Sequence, residues 1–207
     1  MSALIKKYCF DKVFDSQKVF RLILEAMSNP GRVVNIKEYA DKMFGDYNAF
    51  LTVAMTLLDN EVSFYACGNQ PLSEEIMLLT LAKAEKIESA DFVFVCDPYD
   101  IKNVIENVKC GTLADPHRSV AVIIRNDGEP AYRLTLSGPG INGYKIVSVP
   151  QVVIDAICMR NAQYFEYPQG IDLLFISSEG ELLAIPRLTH ADGCKGKTPS
   201  LLAQGVQ

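Results

Sequence analysis

The feature that most constrains the fold is a hairpin pattern close to the carboxyl end of the chain. Two apolar runs, residues 171–176 and 182–185, flank a polar reversal at residues 177–180. Apolar side chains continue on both faces of the two runs, which is typical of strands that are covered on both sides. We therefore expect this hairpin to lie in the interior of a domain, with further layers packed on either side of it.

Helical and extended patterns alternate along the chain before this hairpin. Helices are expected after Pro71 and at residues 15–29, 48–59, 100–109 and 151–161. Strands are expected at residues 32–36, 62–66, 92–96, 119–125, 131–136 and 145–149. The first helix has Asp15 and Ser16 as candidate caps, and its expected buried stripe is Val19, Phe20, Ile23, Leu24 and Met27. The alternation predicts an α/β fold, a three-layer sandwich in which helices cover both faces of a mixed sheet.

The composition predicts one domain in a reducing compartment. Residues 1–190 are expected to form a single α/β domain, and residues 191–207, rich in Gly, Lys, Ser and Thr, to form a flexible C-terminal tail. A net charge of −5 gives no bulk attraction to nucleic acid or to an anionic membrane, so neither is expected as a partner. The six widely spaced cysteines and the lack of an export signal indicate reduced thiols in the cytoplasm.

Two glycine-rich stretches match phosphate-binding loops by their letters. Residues 138–143 read G-x-G-x-x-G, but a strand pattern follows them, and Asn142-Gly143 is a common hairpin turn. Residues 191–198 end in Gly-Lys-Thr, yet Pro199 comes next and little chain remains for the helix that such a loop requires. We predict a hairpin turn for the first stretch and a solvated tail for the second, with a nucleotide site on the tail as the alternative.

The sequence predicts neither a metal site nor a cofactor site. The two histidines are His117 and His190, and His190 lies four residues before Cys194. Two such ligands are fewer than a zinc site needs, and the cysteines include no C-x-x-C pair.

Three polar residues are the candidate site residues. Arg187 follows the second strand of the hairpin, Asp172 opens its first strand, and Arg21 lies on the first helix. One reading pairs each arginine with a carboxylate inside the structure, because buried charges are usually paired. The other reading is contact to a phosphate, a phosphonate or a partner chain, since the planar guanidinium fork suits phosphorus oxyanions. No catalytic residue is assigned.

Five segments, in this order and spacing, resemble one protein family. They are residues 20–31 (FRLILEAMSNPG), 57–61 (LLDNE), 134–141 (LTLSGPGI), 167–172 (YPQGID) and 183–187 (LAIPR) with Thr189. Together they are similar to the PhnH family of phosphonate metabolism, one of the components of the bacterial carbon–phosphorus lyase system. Leu188 stands where many members have a second threonine, and Tyr167 stands where phenylalanine is usual.

This resemblance implies a fold similar to that of the pyridoxal-phosphate (PLP)-dependent transferases, without the site for that cofactor. It also implies a homodimer that joins subunits G, I and J of the lyase core complex. The reaction implied for the complex displaces adenine from ATP with an alkylphosphonate and gives a ribose 1-phosphonate 5-triphosphate. Whether the chain is an enzyme on its own is left open. The alternative is a stand-alone, transferase-like enzyme that acts on a phosphorylated metabolite.

Overall fold

The computed structural model describes residues 8–193. The helices are α1 (Phe14–Ser28), α2 (Lys37–Ala40), α3 (Asn48–Leu57), α4 (Gln70–Thr80), α5 (Ile101–Asn107) and α6 (Gln151–Asn161). The strands are β1 (Val33–Asn35), β2 (Ser63–Ala66), β3 (Lys83–Ala84), β4 (Phe92–Val95), β5 (Ala121–Arg125), β6 (Tyr132–Ser137), β7 (Lys145–Val149), β8 (Asp172–Ile176), β9 (Glu181–Ile185) and β10 (His190–Asp192). Within this part of the chain, no helix has the length and apolar character needed to cross a bilayer.

Seven strands form one mixed sheet in the order β1-β9-β8-β5-β4-β2-β3. The strands from β8 to β3 run parallel to one another, whereas β9 is antiparallel to both β8 and β1. The hairpin predicted from the sequence is therefore confirmed as β8 and β9, with Leu173 opposite Ile185. All five residues of β8 are buried, because the strand lies inside the sheet with side chains packed on both faces.

Helices cover both faces of this sheet. Along β8, Leu174 and Ile176 pack in the same apolar cluster as α1, α3 and α4. Leu173 and Phe175 point to the opposite face, where they pack with α5 and α6 and with a second, three-stranded sheet in the order β10-β6-β7. Because side chains alternate along a strand, the two clusters lie on opposite sides of the large sheet. The predicted α/β fold with a mixed sheet between layers is confirmed.

The buried face of α1 is narrower than the sequence predicts. Val19, Ile23 and Ala26 are buried, whereas Phe20 and Leu24 are 48% and 54% exposed. The prediction that Phe20 and Leu24 belong to the core stripe is wrong, because the helix turns these two positions away from the sheet. The apolar residues of α1 therefore exceed what one core-facing stripe can bury.

Asp15 does not cap α1 as predicted. The N-cap position is Val13, and the side chain that bonds the start of the helix is Asp11, whose Oδ1 accepts hydrogen bonds from the backbone N–H groups of Val13 and Phe14, each at 2.8 Å. Asp15 is buried in the first turn, where its carboxylate accepts bonds from Lys42 Nζ at 2.8 Å and from the Asp11 N–H at 2.9 Å. Burial alone would raise the pKa of Asp15, but these two bonds outweigh it and lower the pKa.

Regular structure extends past residue 190, the predicted end of the domain. β10 pairs with β6 and places His190 opposite Ser137. The remainder of the predicted tail, residues 194–207, lies outside the described residues, and so does its Gly-Lys-Thr sequence. Cys9, Cys67, Cys96 and Cys110 are free thiols as expected, whereas Cys158 is disulfide-bonded, against the expectation of reduced thiols.

Candidate functional site

A cleft opens at the end of the large sheet where β8 begins and β9 ends. Its cavity has a volume of 430 Å³. The lining residues come from five separate parts of the chain: Met27, Pro116, His117, Pro139, Pro168, Asp172, Pro186, Arg187, Leu188 and Thr189. We call this cavity the Arg187 cleft.

Four of the five segments that carry the family resemblance meet at this cleft. Residues 20–31 contribute Met27, residues 134–141 contribute Pro139, and the other two contribute Pro168, Asp172, Pro186 and Arg187. The fifth segment, residues 57–61, lies between α3 and β2 and does not line the cavity. Segments far apart in the sequence thus share one location, which makes the cleft the leading candidate for the functional site.

The glycines of residues 138–143 allow these segments to approach one another. Gly138 and Gly140 both have positive φ angles, +123° and +81°. A Cβ atom on Gly140 would lie 2.3 Å from the carbonyl oxygen of Ser28, and one on Gly138 would lie 2.8 Å from that of Leu188. The stretch connects β6 to β7, so the predicted hairpin connection is confirmed and the helix that a dinucleotide site requires does not follow it.

The structure brings two of the three predicted site residues together. Arg187 Nη2 lies 2.6 Å from Asp172 Oδ2, and Arg187 Nε lies 3.3 Å from Asp172 Oδ1. The backbone N–H of Arg187 also donates to Asp172 Oδ1 at 2.8 Å, and Nη1 donates to the carbonyl of Pro116. The reading in which Arg187 is paired with a carboxylate is therefore confirmed. The pair closes the open end of the β8–β9 hairpin.

Arg21, the third candidate, does not reach this pair. It lies on the exposed face of α1, on the same side as Phe20 and Leu24, and it is not among the residues that line the cleft.

A second arginine, which the sequence analysis missed, lies behind the cleft. Arg160 of α6 is 4% exposed. Its guanidinium donates to the carbonyls of Ile185 and Pro186, each at 3.2 Å, and to that of Thr189 at 2.9 Å. Burial lowers the pKa of Arg160 to about 10, although the charge of Asp172 acts in the opposite direction. Arg160 therefore remains a cation at neutral pH.

A larger cavity of 850 Å³ continues from the cleft and shares Pro139, Arg187, Leu188 and Thr189 with it. The charged and titratable residues that line the two cavities are Arg160, Arg187, Asp172, Asp192, His117, His190, Tyr164 and Tyr167. Asp172 is paired with Arg187 and Asp192 is exposed, which leaves the buried Arg160 without an acid bonded to it among these lining residues.

A second candidate binding crevice lies at the opposite end of the parallel strands. The chain leaves β2 toward α4 on one face of the sheet and leaves β4 toward α5 on the other, so the carboxyl ends of β2 and β4 form a topological switch point. A crevice of 590 Å³ lies there, beside a cavity of 480 Å³ that shares Cys96, Pro98 and Arg125 with it. Switch points of this kind commonly bind ligands.

The charges of the switch-point crevice do not suit an anion. Its described charged lining residues are Arg125 against Asp97, Asp100, Asp127, Glu129 and Asp155. Arg125 is itself paired with Asp127, with Nε and Oδ2 2.5 Å apart. Burial raises the pKa of Cys67 to about 12 and also raises that of Cys96, so neither thiol is a ready nucleophile. An anionic substrate is expected to prefer the Arg187 cleft.

Metal ligands do not cluster in the described part of the chain. Between residues 8 and 193, no group of three or more His, Cys, Asp or Glu side chains is arranged to hold a metal ion. The pairing of His190 with Cys194 considered from the sequence involves a residue outside this range.

Fold and site together define a three-layer α/β protein with a cleft, lined by an arginine–aspartate pair, at the amino ends of its parallel strands. The family described as bacterial phosphonate metabolism protein (PhnH) matches residues 9–192, so the chain belongs to the PhnH family, as the resemblance indicated. The matched region contains every residue that lines the Arg187 cleft.

Two relatives agree with this assignment by their names. The chain is 29% identical over 177 residues to a protein of Stutzerimonas stutzeri named as the C-P lyase subunit protein HtxG, with 84% of each chain covered. It is 26% identical over 190 residues to the alpha-D-ribose 1-methylphosphonate 5-triphosphate synthase subunit PhnH of Rhizobium meliloti (strain 1021), covering 88% of this chain and 92% of the relative.

Proposed function

We propose that this chain is a subunit of a bacterial carbon–phosphorus lyase complex and acts in phosphonate catabolism. The proposed complex contains subunits G, I and J, lies in the cytoplasm, and forms a ribose 1-phosphonate 5-triphosphate from ATP and an alkylphosphonate. The observation that carries the proposal is the family match over residues 9–192, which includes the whole cleft. The names of the two relatives support the same function.

The Arg187 cleft is the proposed place where this chain contributes to the shared reaction. Arg187 and Asp172 hold the hairpin end and the Pro116 carbonyl in place, which fixes the walls of the cleft. Their proposed role is therefore to shape a binding surface for a phosphate or phosphonate group. Three of the five N–H donors of Arg187 are already used inside the protein, which leaves two for a ligand.

The homodimer is proposed to form through the outer face of α1. Phe14, Phe20 and Leu24 on this helix, and Val13 just before it, are all large, apolar and exposed. Monomeric proteins rarely expose contiguous apolar patches of this kind, and a two-fold axis would bury two copies against each other. Arg21 lies on the same face, so its proposed role is contact to a partner chain.

Leu24→Glu tests this interface, with Leu78→Glu as the matched control. Leu78 is also an exposed leucine on a helix, α4, but it lies outside the proposed interface. Light scattering on the purified chains should give the mass of a monomer for Leu24→Glu and of a dimer for Leu78→Glu. If Leu24→Glu remains a dimer, the interface lies elsewhere.

The likeness to the PLP-dependent transferase fold is part of the proposal. A seven-stranded mixed sheet with helices on both faces supports it. We propose that the chain holds no pyridoxal group. The visible absorption spectrum of the purified protein tests this, because a lysine-bound pyridoxal cofactor would absorb visible light.

Coexpression with the other lyase subunits, followed by native mass measurement, is the main test. The proposed function predicts a stable assembly that contains this chain. The alternative function, a stand-alone transferase-like enzyme, is favoured by the size of the larger cavity, 850 Å³. That alternative predicts turnover of a phosphorylated metabolite by the chain alone. A nucleotide site on the tail predicts loss of ATP affinity after deletion of residues 194–207, the part of the predicted tail that follows β10 and contains the Gly-Lys-Thr sequence.

A further inference from the structure

The hydroxyl group of Thr189 is buried without a partner among the described residues. Thr189 is 3% exposed, and it lines both the Arg187 cleft and the larger cavity. Its backbone is fully used, since its N–H donates to Pro186 and its carbonyl accepts from Arg160. The Oγ1 atom alone makes no hydrogen bond. A buried polar atom without a partner is costly, so its persistence in a native structure calls for an explanation such as a ligand.

Arg160, whose guanidinium donates to the backbone carbonyl of the same Thr189, has no acid bonded to it among the described residues. All three hydrogen bonds of Arg160 go to carbonyl oxygens, which carry no net charge. Asp172 is bonded to Arg187, so these three residues together carry one excess positive charge. Because Arg160 is buried, this charge is weakly screened by water. An unused donor and an unneutralised cation at one wall of a cavity together favour an anion.

We propose that the Arg187 cleft and the larger cavity that continues from it bind a tetrahedral phosphorus oxyanion at the wall they share, with the Thr189 hydroxyl as a donor and Arg160 and Arg187 as the cations that hold it. The choice of phosphorus over other anions rests on the proposed function. Both a phosphonate and the phosphate end of a nucleotide carry this group. In either case the anion gives the Thr189 hydroxyl a partner and neutralises the excess charge.

Binding to the purified full-length chain is measured by ³¹P NMR titration with three probes: methylphosphonate, inorganic phosphate and ATP. Thr189→Val removes the hydroxyl and preserves the shape of the side chain. It is expected to weaken binding about ten-fold to a hundred-fold, the usual effect of losing a hydrogen bond to a charged group. Thr189→Ser keeps the hydroxyl and should bind within about three-fold of the unaltered chain, which guards against a simple packing defect.

Thr52→Val is the matched control for removing a buried threonine hydroxyl. Thr52 is fully buried in α3, where its Oγ1 donates to the Asn48 carbonyl at 2.8 Å, far from the cleft. This variant should lose thermal stability and keep oxyanion affinity, whereas Thr189→Val should keep its melting temperature and lose affinity. Circular dichroism confirms the folding of each variant before titration.

The three probes separate the sources of the oxyanion. Equal binding of methylphosphonate and phosphate supports a general site, and binding of ATP alone supports a site for a nucleotide phosphate. The proposal is overturned if none of the probes binds saturably to the chain or to the coexpressed complex, or if Thr189→Val binds as the unaltered chain does. Assembly is measured separately, so a chain that binds oxyanions but joins no complex refutes the proposed function and leaves this site standing.

Discussion

Replacing Asp172 by alanine tests how far the fold depends on the ion pair at the hairpin end. The side chains of Asp172 and Arg187 are only 12% and 21% exposed. Asp172→Ala removes two side-chain hydrogen bonds and the acceptor of the Arg187 backbone N–H. Breaking a buried pair costs about 3–5 kcal/mol, and the partial exposure of Arg187 places this one near ~3 kcal/mol.

Two further variants divide this cost between its sources. Asp172→Asn keeps an oxygen that accepts from the backbone N–H of Arg187, so it should cost about half as much, ~1.5 kcal/mol. Arg187→Ala leaves the carboxylate with its backbone bond and should cost ~2 kcal/mol. The double variant should then be less destabilised than the sum of the single ones by about 1.5 kcal/mol, because the pair can be lost only once.

Urea denaturation of the purified chains measures these differences. With a slope of about 2 kcal/mol per molar urea, Asp172→Ala should lower the midpoint by ~1.5 M. The reasoning fails if the single effects add within about 0.5 kcal/mol, since the two residues would then stabilise the protein independently.

Three other predictions follow from the geometry. Gly140→Ala should lower the free energy of unfolding by at least ~2 kcal/mol more than Gly143→Ala, measured by thermal unfolding. Both glycines have a positive φ, but only Gly140 lies close to a carbonyl oxygen, so equal losses of stability would refute that contact. Asp15→Asn should cost about 1–2 kcal/mol at pH 7. The pKa of Asp15 is lowered in the folded state, so the difference in unfolding free energy between Asp15→Asn and the unaltered chain should persist above pH 5 and vanish as the pH falls below the ordinary carboxyl range. A difference in unfolding free energy that is unchanged at pH 3 would contradict the ion pair with Lys42. Arg160→Met should lower the free energy of unfolding, measured with urea, by about 2–3 kcal/mol, because three backbone carbonyls lose their hydrogen-bond donor. Unchanged stability would show that these three hydrogen bonds do not stabilise the fold.

The part of the site that lies on the hairpin follows from local sequence. Apolar residues on both faces of two runs joined by a short reversal predict a buried antiparallel pair. In that pairing Leu173 is opposite Ile185, so Asp172 and the residues after β9 must be neighbours. The meeting of Asp172 with Arg187 is therefore a consequence of strand register, which the sequence contains.

The rest of the site depends on packing between distant elements. Arg160 lies in a helix with apolar residues on most sides, so periodicity does not show that its side chain points into the protein. Likewise Phe20 and Leu24 fit a core stripe by residue type, and only the docking of α1 against the sheet exposes them. The switch point between β2 and β4 requires the strand order, which is set by long-range pairing and not by local propensity.

The scattered origin of the cleft walls has a consequence for how the molecule is made. Its lining runs from Met27 to Thr189, which is nearly the full span of the described chain. The ribosome must therefore synthesise the chain at least as far as Thr189 before the whole cleft can form, and a shorter translation product lacks part of its lining. A partner chain or small molecule that recognises the whole cleft can therefore bind only those chains that extend at least to Thr189.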